Sequence, residues 1–529
     1  MWSVDRASKL AAAGKLSRRE FVEFAVASGL TATVADTMFN AAARAEPKRG
    51  GLMRMALGHG ATSDSLDPAT YPDAFTGTVG WGSLSNSLTE VDWRGDINPD
   101  LAESIDVSED AKVWVFKLRR GLTFHNGKSV TADDVVESFR WHMGENSKSA
   151  AKALLKEISD IKADGPETIV FKLSGGSADF PYITSDYHIP IMPAKAGGGV
   201  DWQSGIRTGP YMLEKWDPGV SAKMKRNPNY HRDAWFDEVE VLSIVDVTAR
   251  TNALTNGEVD YIDRCDLKTL GHLRKNPTVE IWEGTGFGHY VFPMFTNVPP
   301  FDNVDVRLAL KYAIDREDIA RKVFLGHGKV GNDNPIAPNI KYAVDPSPRY
   351  VYDPEKAKFH LKKAGLSSLK VDLSSSDAAF SGAIDAAVLY KEHARTASID
   401  INVIREASDG YWDNVWLKKP WVASYWNGRP TCDWMLTIAY AADAAWNDTA
   451  WKHPHFNELL VSARSETDPT KRAQMYAEMQ QLIHDVGGQI VLIFNNYVSA
   501  HSKKLAHGPH VAANWDEDGM KLASRWWFA

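Results

Sequence analysis

From Gly51 onward the hydrophobic positions switch between two periods, and each switch marks an element. In "VWVFKLRRG" (113–121), Val113, Val115 and Lys117 fall on one side and Trp114, Phe116 and Leu118 on the other, the alternation of a strand. After the turn "HNGK" (125–128) the period lengthens. In "SVTADDVVESFRWHM" (129–143), Val135, Val136, Phe139 and Met143 make the apolar stripe of a helix, with Thr131 as N-cap and Asp133 and Asp134 in its first turn. Strands are predicted at 167–173, 239–246 and 289–297, with a hairpin over 210–233. Residues 247–262 read as a helix stopped by Asn256-Gly257 and followed by a strand. Val306, Leu310 and Ala313, then Ile314, Ala320 and Val323, keep helical spacing through 298–324. The last long helix is predicted over 469–485, with Met475, Met479, Leu482 and Ile483 on one face. "QIVLIF" (489–494) is apolar throughout, as a strand buried on both faces is. Alternating strands and helices make the class α/β.

The length of 529 residues suits two to four domains. No stretch reaches the ~18 consecutive apolar residues of a membrane span. A net charge of −8 offers no basic field for a phosphate backbone, which excludes nucleic acid as an expected partner. The 19 Trp, 17 Tyr and 20 Phe are rich in flat side chains that suit a pocket gripping ligands by shape. Cys265 and Cys432 lie far apart in sequence, and sequence alone does not decide whether they are bridged. No Cys/His cluster with metal-ligand spacing occurs, and no cofactor is expected.

The N-terminus reads as an address. "SRREF" (17–21) precedes a mild apolar run, and Ala43-Arg44-Ala45 forms a small-x-small site before Glu46. A twin-arginine pair in that setting resembles a Tat-type signal over 1–45, which implies export to the periplasm.

Several phrases then occur in order: "SLDP" (65–68), "INPDLAESIDVSEDAKVWVFKLRRGLTFHNGKSVTADDVVESF" (97–139), "TGPYMLEKWDPG" (208–219), "RNPNYH" (226–231), "ALTNGEVDYI" (253–262), "PPFDNVDVRLALKYAIDREDIARKVFLGHG" (299–328), "YDPEKAKFHLKKAG" (352–365) and "DPTKRAQMYAEMQQLI" (468–483). Together they resemble the family-5 solute-binding proteins of ABC importers, the dipeptide and oligopeptide receptors. The resemblance implies a two-lobed, type II-like periplasmic-binding-protein fold with an inserted subdomain and a two-strand hinge near 291–297 and 490–497. Lobe I is expected at 46–90, 205–290 and 498–529, the inserted subdomain at 91–204 and lobe II at 291–497. It further implies a monomer that closes on a small ligand, performs no chemistry and docks on an ABC permease in the inner membrane. A rival is an exported α/β hydrolase, but no G-x-S-x-G elbow and no H-E-x-x-H occurs. A receptor for a metal chelate or haem is a third possibility, which nothing in the residues demands.

The candidate site centres on "YWNGRPTCDW" (425–434). Peptide-binding relatives have an acidic residue there that takes the ligand's α-ammonium; this chain has Arg429. Tyr425, Trp426, Asn427, Gly428 and Arg429 are therefore expected to hold an anionic group of a peptide-like, opine-like or other amino-acid-conjugate ligand. The competing role for Arg429 is a loop staple to Asp433. Phe75 and Trp81, on a predicted loop at 73–81, are further wall candidates, as is His289 near the hinge. Trp412, Tyr440 and Trp446 complete the set, and for each of these core packing is the alternative.

Overall fold

The computed structural model describes Ala7 and residues 18–28, 47–145, 147–466 and 468–529. The expected signal over 1–45 and its cleavage site lie outside the described residues, apart from Ala7 and a helix at Arg18–Ala27.

Nine strands form the central sheet: β1 (Leu52–Leu57), β2 (Tyr211–Asp217), β3 (Ser221–Arg226), β4 (Glu238–Ser243), β5 (Tyr261–Ile262), β6 (Val279–Val291), β7 (Gly328–Val330), β8 (Ser424–Trp426) and β9 (Val491–Ser502). Their order is β8-β6-β9-β5-β1-β4-β3-β2, with β7 also on β9. β1 runs parallel to β4 and β5, and the other pairs are antiparallel. Met53, Met55 and Leu57 of β1 pack with Phe75, Tyr211 and Trp526 in one apolar core. A separate four-stranded antiparallel sheet uses Ala102–Val107, Val113–Leu118, Thr168–Leu173 and Ile158–Ala163. The alternation in 113–118 holds: Trp114, Phe116 and Leu118 are buried. Val135, Val136 and Phe139 of the helix Ala132–Met143 are buried as well. The Asp134 carboxylate accepts from the Thr131 N–H and hydroxyl, each at 2.9 Å, which closes that helix start.

The longest ladder of the sheet pairs β6 with β9. β6 pairs with β9 from Val279↔Ser502 to Thr285↔Asn496, breaks register, and resumes at His289↔Phe494. The strand predicted at 289–297 thus begins ten residues earlier, at Val279, and ends at Val291. The glycines of "GTGFG" resemble a loop signal, yet the packing demands them. A Cβ at Gly286 would lie 2.5 Å from the Tyr497 ring, and one at Gly288 would lie 2.9 Å from the Trp426 carbonyl oxygen. Pro293 has no N–H with which to prolong the ladder.

A second departure is at 73–81, which is helical rather than a loop: Ala74–Gly77 continues into a wider turn at Thr78–Ser83. Asp73 caps it, accepting from the Thr76 N–H at 3.0 Å. Gly82 is fixed by contact with the C-terminal segment, since a Cβ there would fall 1.7 Å from the Met520 carbonyl oxygen. Cys265 and Cys432 are both buried free thiols.

The start of β9 is tied down by a buried ion pair. Arg316 donates to both oxygens of Asp333, at 2.8 and 2.9 Å, and the Val491 N–H donates to the same carboxylate at 2.8 Å. Removing one partner of such a pair strands the other charge in the interior. Asp333→Ala is therefore expected to lower unfolding free energy by about 3–5 kcal/mol in chemical denaturation. A loss under about 1 kcal/mol would show that this pair does not hold the strand.

Candidate functional site

β8 adds to the free edge of β6 in the register His289↔Trp426, Tyr290↔Tyr425 and Val291↔Ser424. The candidate stretch therefore begins as an edge strand, and only Asn427–Pro430 turns away from it. Gly428 is required at the bend, because a Cβ there would fall 2.0 Å from the Phe287 Cβ. Its close approach is to the protein's own backbone. Trp515 closes the turn from the C-terminal segment, its indole N–H donating to the Gly428 carbonyl at 2.9 Å.

This turn buries Arg429 to 2 % exposure. One guanidinium nitrogen donates back to the carbonyls of Asn427, at 2.8 Å, and Gly428, at 3.1 Å. Its carbon lies 5.5 Å from the centre of the Tyr187 ring and 5.6 Å from that of Trp434. Nε has no hydrogen-bond partner, and among the described residues no ion pair includes Arg429. The staple to Asp433 does not form: Arg464 takes that carboxylate at 2.8 and 3.0 Å and also reaches Glu157 at 2.6 Å. The nearby Asp186 is occupied as well, accepting from His188 Nδ1 at 2.6 Å and from the Trp434 indole at 3.0 Å. Burial alone would raise the Asp186 carboxyl; His188 and then Arg429 hold it below its usual range. Arg429 is thus a buried guanidinium whose own hydrogen-bond acceptors are neutral carbonyls, with aromatic faces around it and the Asp186 carboxylate near but bonded to His188 and Trp434, an arrangement that leaves its fork open to a carboxylate or phosphate.

Beside it stands a wall of indoles. Trp416 and Trp426 both donate to Asp448 Oδ2 at 3.1 Å. Trp446 lies 5.6 Å from Trp416, 6.0 Å from Trp426 and 4.9 Å from the His188 ring. On the other side of Trp446, a cavity of about 840 Å³ opens between Met143, Lys152 and Lys156 and the opposing Leu417, Asp443 and Ala445. Trp412 and Tyr425 continue the wall, their rings 5.4 Å apart.

The facing wall comes from the segments after β1 and β5. His59 sets its ring 5.5 Å from Tyr425, and the Arg264 guanidinium lies 4.5 Å over the same ring. Arg264 is held by Asp516 at 3.1 Å. The two walls touch where the Thr62 N–H donates to Asp409 at 3.3 Å and the Ser63 hydroxyl donates to Asp413.

The structure thus brings Tyr425, Trp426, Arg429, Trp412 and Trp446 into one cluster, with Asn427 and Gly428 forming its turn. Trp81 stands one layer behind, edge-on to Trp515 at 5.2 Å and donating to Ser87 at 2.9 Å. Phe75 stacks on Trp216 inside the core beneath β1, away from the cluster, and Tyr440 is buried in the same core as Trp426, near Asp448. His289 is sealed within the sheet with both ring nitrogens unpaired, and burial pushes it down to about 3, so the ring is neutral. Sequence reasoning passed over His59, Asp64, Asp73, Tyr187, Arg264 and Trp515. The visible signals were the acidic run "WDEDG" (515–519) and the aspartates around "SLDP".

Among the described residues no group of three or more His, Cys, Asp or Glu is placed to hold a metal, and no helix is long and apolar enough to cross a membrane. The family model "Bacterial extracellular solute-binding proteins, family 5 Middle" matches residues 96–448. The chain is 25% identical over 474 residues to the oligopeptide-binding protein OppA of Bacillus subtilis, covering 80% of this chain and 84% of that one. In fold it is similar to the periplasmic binding protein DppA of Helicobacter pylori, solved with the peptide STSA, at a TM-score of 0.82 and 23% identity over 91% of this chain and 98% of that one. It is equally similar to AgaA of A. tumefaciens R10, solved with agropinic acid, at a TM-score of 0.82 and 22% identity over 90% and 99% of the two chains.

Asp448 sets the indole wall and carries a pH signature. Burial pushes its carboxyl up to about 7, against the opposing pull of the two indole hydrogen bonds. The folded protein therefore binds a proton that the unfolded chain releases near pH 4, so stability falls as pH rises from about 4 to 7. Asp448→Asn should flatten that part of the melting-temperature profile relative to wild type. Parallel profiles for the two proteins would contradict a buried, proton-binding Asp448.

Proposed function

The chain belongs to the bacterial extracellular solute-binding proteins of family 5, and on that footing we propose that it captures a peptide-like or amino-acid-conjugate ligand by an anionic group seated on Arg429. The carrying observation is the buried guanidinium that lacks a carboxylate partner. A water-poor cleft strengthens a guanidinium–carboxylate or guanidinium–phosphate pair, and the planar fork meets either group bidentately. The relatives' ligands span this chemistry, from the peptide STSA to agropinic acid.

In this reading the protein binds without turnover. Ligand contacts to both walls favour the closed pair of lobes over the open one, and the closed form is what a membrane permease recognises. The lobe limits at 46–90, 205–290 and 498–529 against 291–497, with the subdomain at 91–204, belong to the same proposal. So do twin-arginine export, residence in the periplasm and a monomeric state.

The test is Arg429→Ala, titrated by calorimetry with the small molecule that freshly purified wild type releases on denaturation. Truncating one partner of a buried charge pair should weaken binding by about 2–5 kcal/mol. The ligand-free variant also loses the bonds to the Asn427 and Gly428 carbonyls, so its melting temperature should fall, and affinity is compared at a temperature where both proteins are fully folded. Affinity within about threefold of wild type would remove Arg429 from the site.

A further inference from the structure

We infer that the wall facing Arg429 holds a second charged subsite, in which Asp64 and Asp73, beside His59, receive a cationic group of the same molecule, an ammonium or a guanidinium. The inference rests on the Arg429 reading and sharpens it: the ligand is a zwitterion laid across the cleft, acid on one lobe and base on the other.

Both carboxylates are buried, Asp73 to 2 % exposure and Asp64 to 7 %. Each uses one oxygen internally. Asp64 Oδ2 accepts from the Ala61 N–H at 3.0 Å, and Asp73 Oδ1 accepts from the Thr76 N–H at 3.0 Å and its hydroxyl at 3.1 Å. The second oxygens, Asp64 Oδ1 and Asp73 Oδ2, have no donor. His59 Nδ1 stands 3.9 Å from Asp73 Oδ2, and its Nε2 is also unpaired. That imidazole offers no compensating charge, because burial, Arg264 and Arg250 all push it toward the neutral form.

The nearby arginines are already committed. Arg250 bonds to Asp263 at 3.2 Å, and Arg264 reaches Asp516 at 3.1 Å and Asp263 at 3.8 Å. Glu517 adds another buried acid, with one oxygen on the Thr78 hydroxyl at 3.1 Å and the other unpaired. Acids therefore outnumber cations on this wall, and without a cation the Asp64–Asp73 pair limits its buried charge by holding a proton. Burial first and the mutual repulsion of Asp64 and Asp73 second raise the Asp64 carboxyl to about 8, the sign of a site short of positive charge.

Position supports a ligand rather than a structural role. Asp64 follows Thr62 and Ser63, which meet Asp409 and Asp413 of the opposite lobe. A cation arriving here comes within reach of acids from both lobes and would draw them together. Tyr425 lies next to His59, and Tyr187 lies under Arg429, so two tyrosines separate the subsites. The acid-binding and base-binding ends are thus adjacent yet distinct.

The test uses the full chain, immobilised, and the fraction of yeast extract below about 1 kDa in three forms: untreated, N-acetylated to remove ammonium charge, and methyl-esterified to remove carboxylates. Retained compounds are identified by mass. Wild type should retain compounds carrying both an acid and a basic nitrogen, and retention should fall at least tenfold after esterification. After acetylation only guanidine-bearing compounds should remain. Asp64→Asn and Asp73→Asn should each retain at least tenfold less of the untreated compounds while melting within a few degrees of wild type. Retention of acids that lack a basic nitrogen, equal in wild type and both Asn variants, would overturn the second subsite and leave Arg429 standing. Equal retention of the untreated, carboxylate-bearing compounds by wild type and Arg429→Ala would overturn the Arg429 reading itself. Retention of nothing by wild type counts against both.

Discussion

The antiparallel ladder of β6 on β9 carries the rest of the molecule. It runs from Val279↔Ser502 to Val291↔Val491, with register breaks between Thr285 and His289 and again between Tyr290 and Val291. β8 pairs with β6 on the edge opposite β9, directly past the first break. Because His289 sits opposite Trp426, the chain leaves the sheet at Asn427 and must bend at Gly428 over Phe287. Arg429 is buried as a consequence of that bend. A one-residue slip of β8 would turn every side chain of the strand to its other face. Backbone pairing thus places the charge, and the glycines of β6 make the pairing possible.

The charge distribution then assigns the work. Elsewhere in the interior some arginines meet acids, Arg316 with Asp333, Arg464 with Asp433 and Arg264 with Asp516, while Arg207 and Arg307 are held by backbone carbonyls. Arg429 is of the second kind and stands among the aromatics of one wall, and Asp64 with Asp73 are acids with an unpaired oxygen each on the other. Each is costly alone, and on the proposed reading one dipolar molecule offsets both. Specificity follows from the same cost, since a ligand missing either charge leaves a buried group unpaired.

Much of the frame was legible in sequence because it rests on local signals. Val113–Leu118 alternates, Thr131 and Asp134 close a helix start, and Asn256-Gly257 stops another. What escaped depends on partners distant in the chain. Gly286 and Gly288 read as loop residues because the ring of Tyr497 and the carbonyl of Trp426 that demand them lie far away in sequence. The helical turn at 73–83 was hidden by Gly82, which answers to Met520. Phe75 and Trp81 looked like wall residues, and alternate packing sent one into the core and set the other behind Trp515. Arg429 was visible as an odd residue, but its freedom was not: only the tertiary structure shows that Arg464 has already taken Asp433. Asp64 and Asp73 were quiet for the same reason, since a lone Asp in a turn is common and an unpaired oxygen has no sequence signature.

The most direct measurement is a crystal structure of the protein purified with the small molecule it carries from its host. The account predicts an acidic group of that molecule within about 3 Å of the Arg429 guanidinium, with hydrogen-bond geometry. Arg429 turned onto Asp186 or Asp433, with the acid of the bound molecule elsewhere in the cleft, would contradict it.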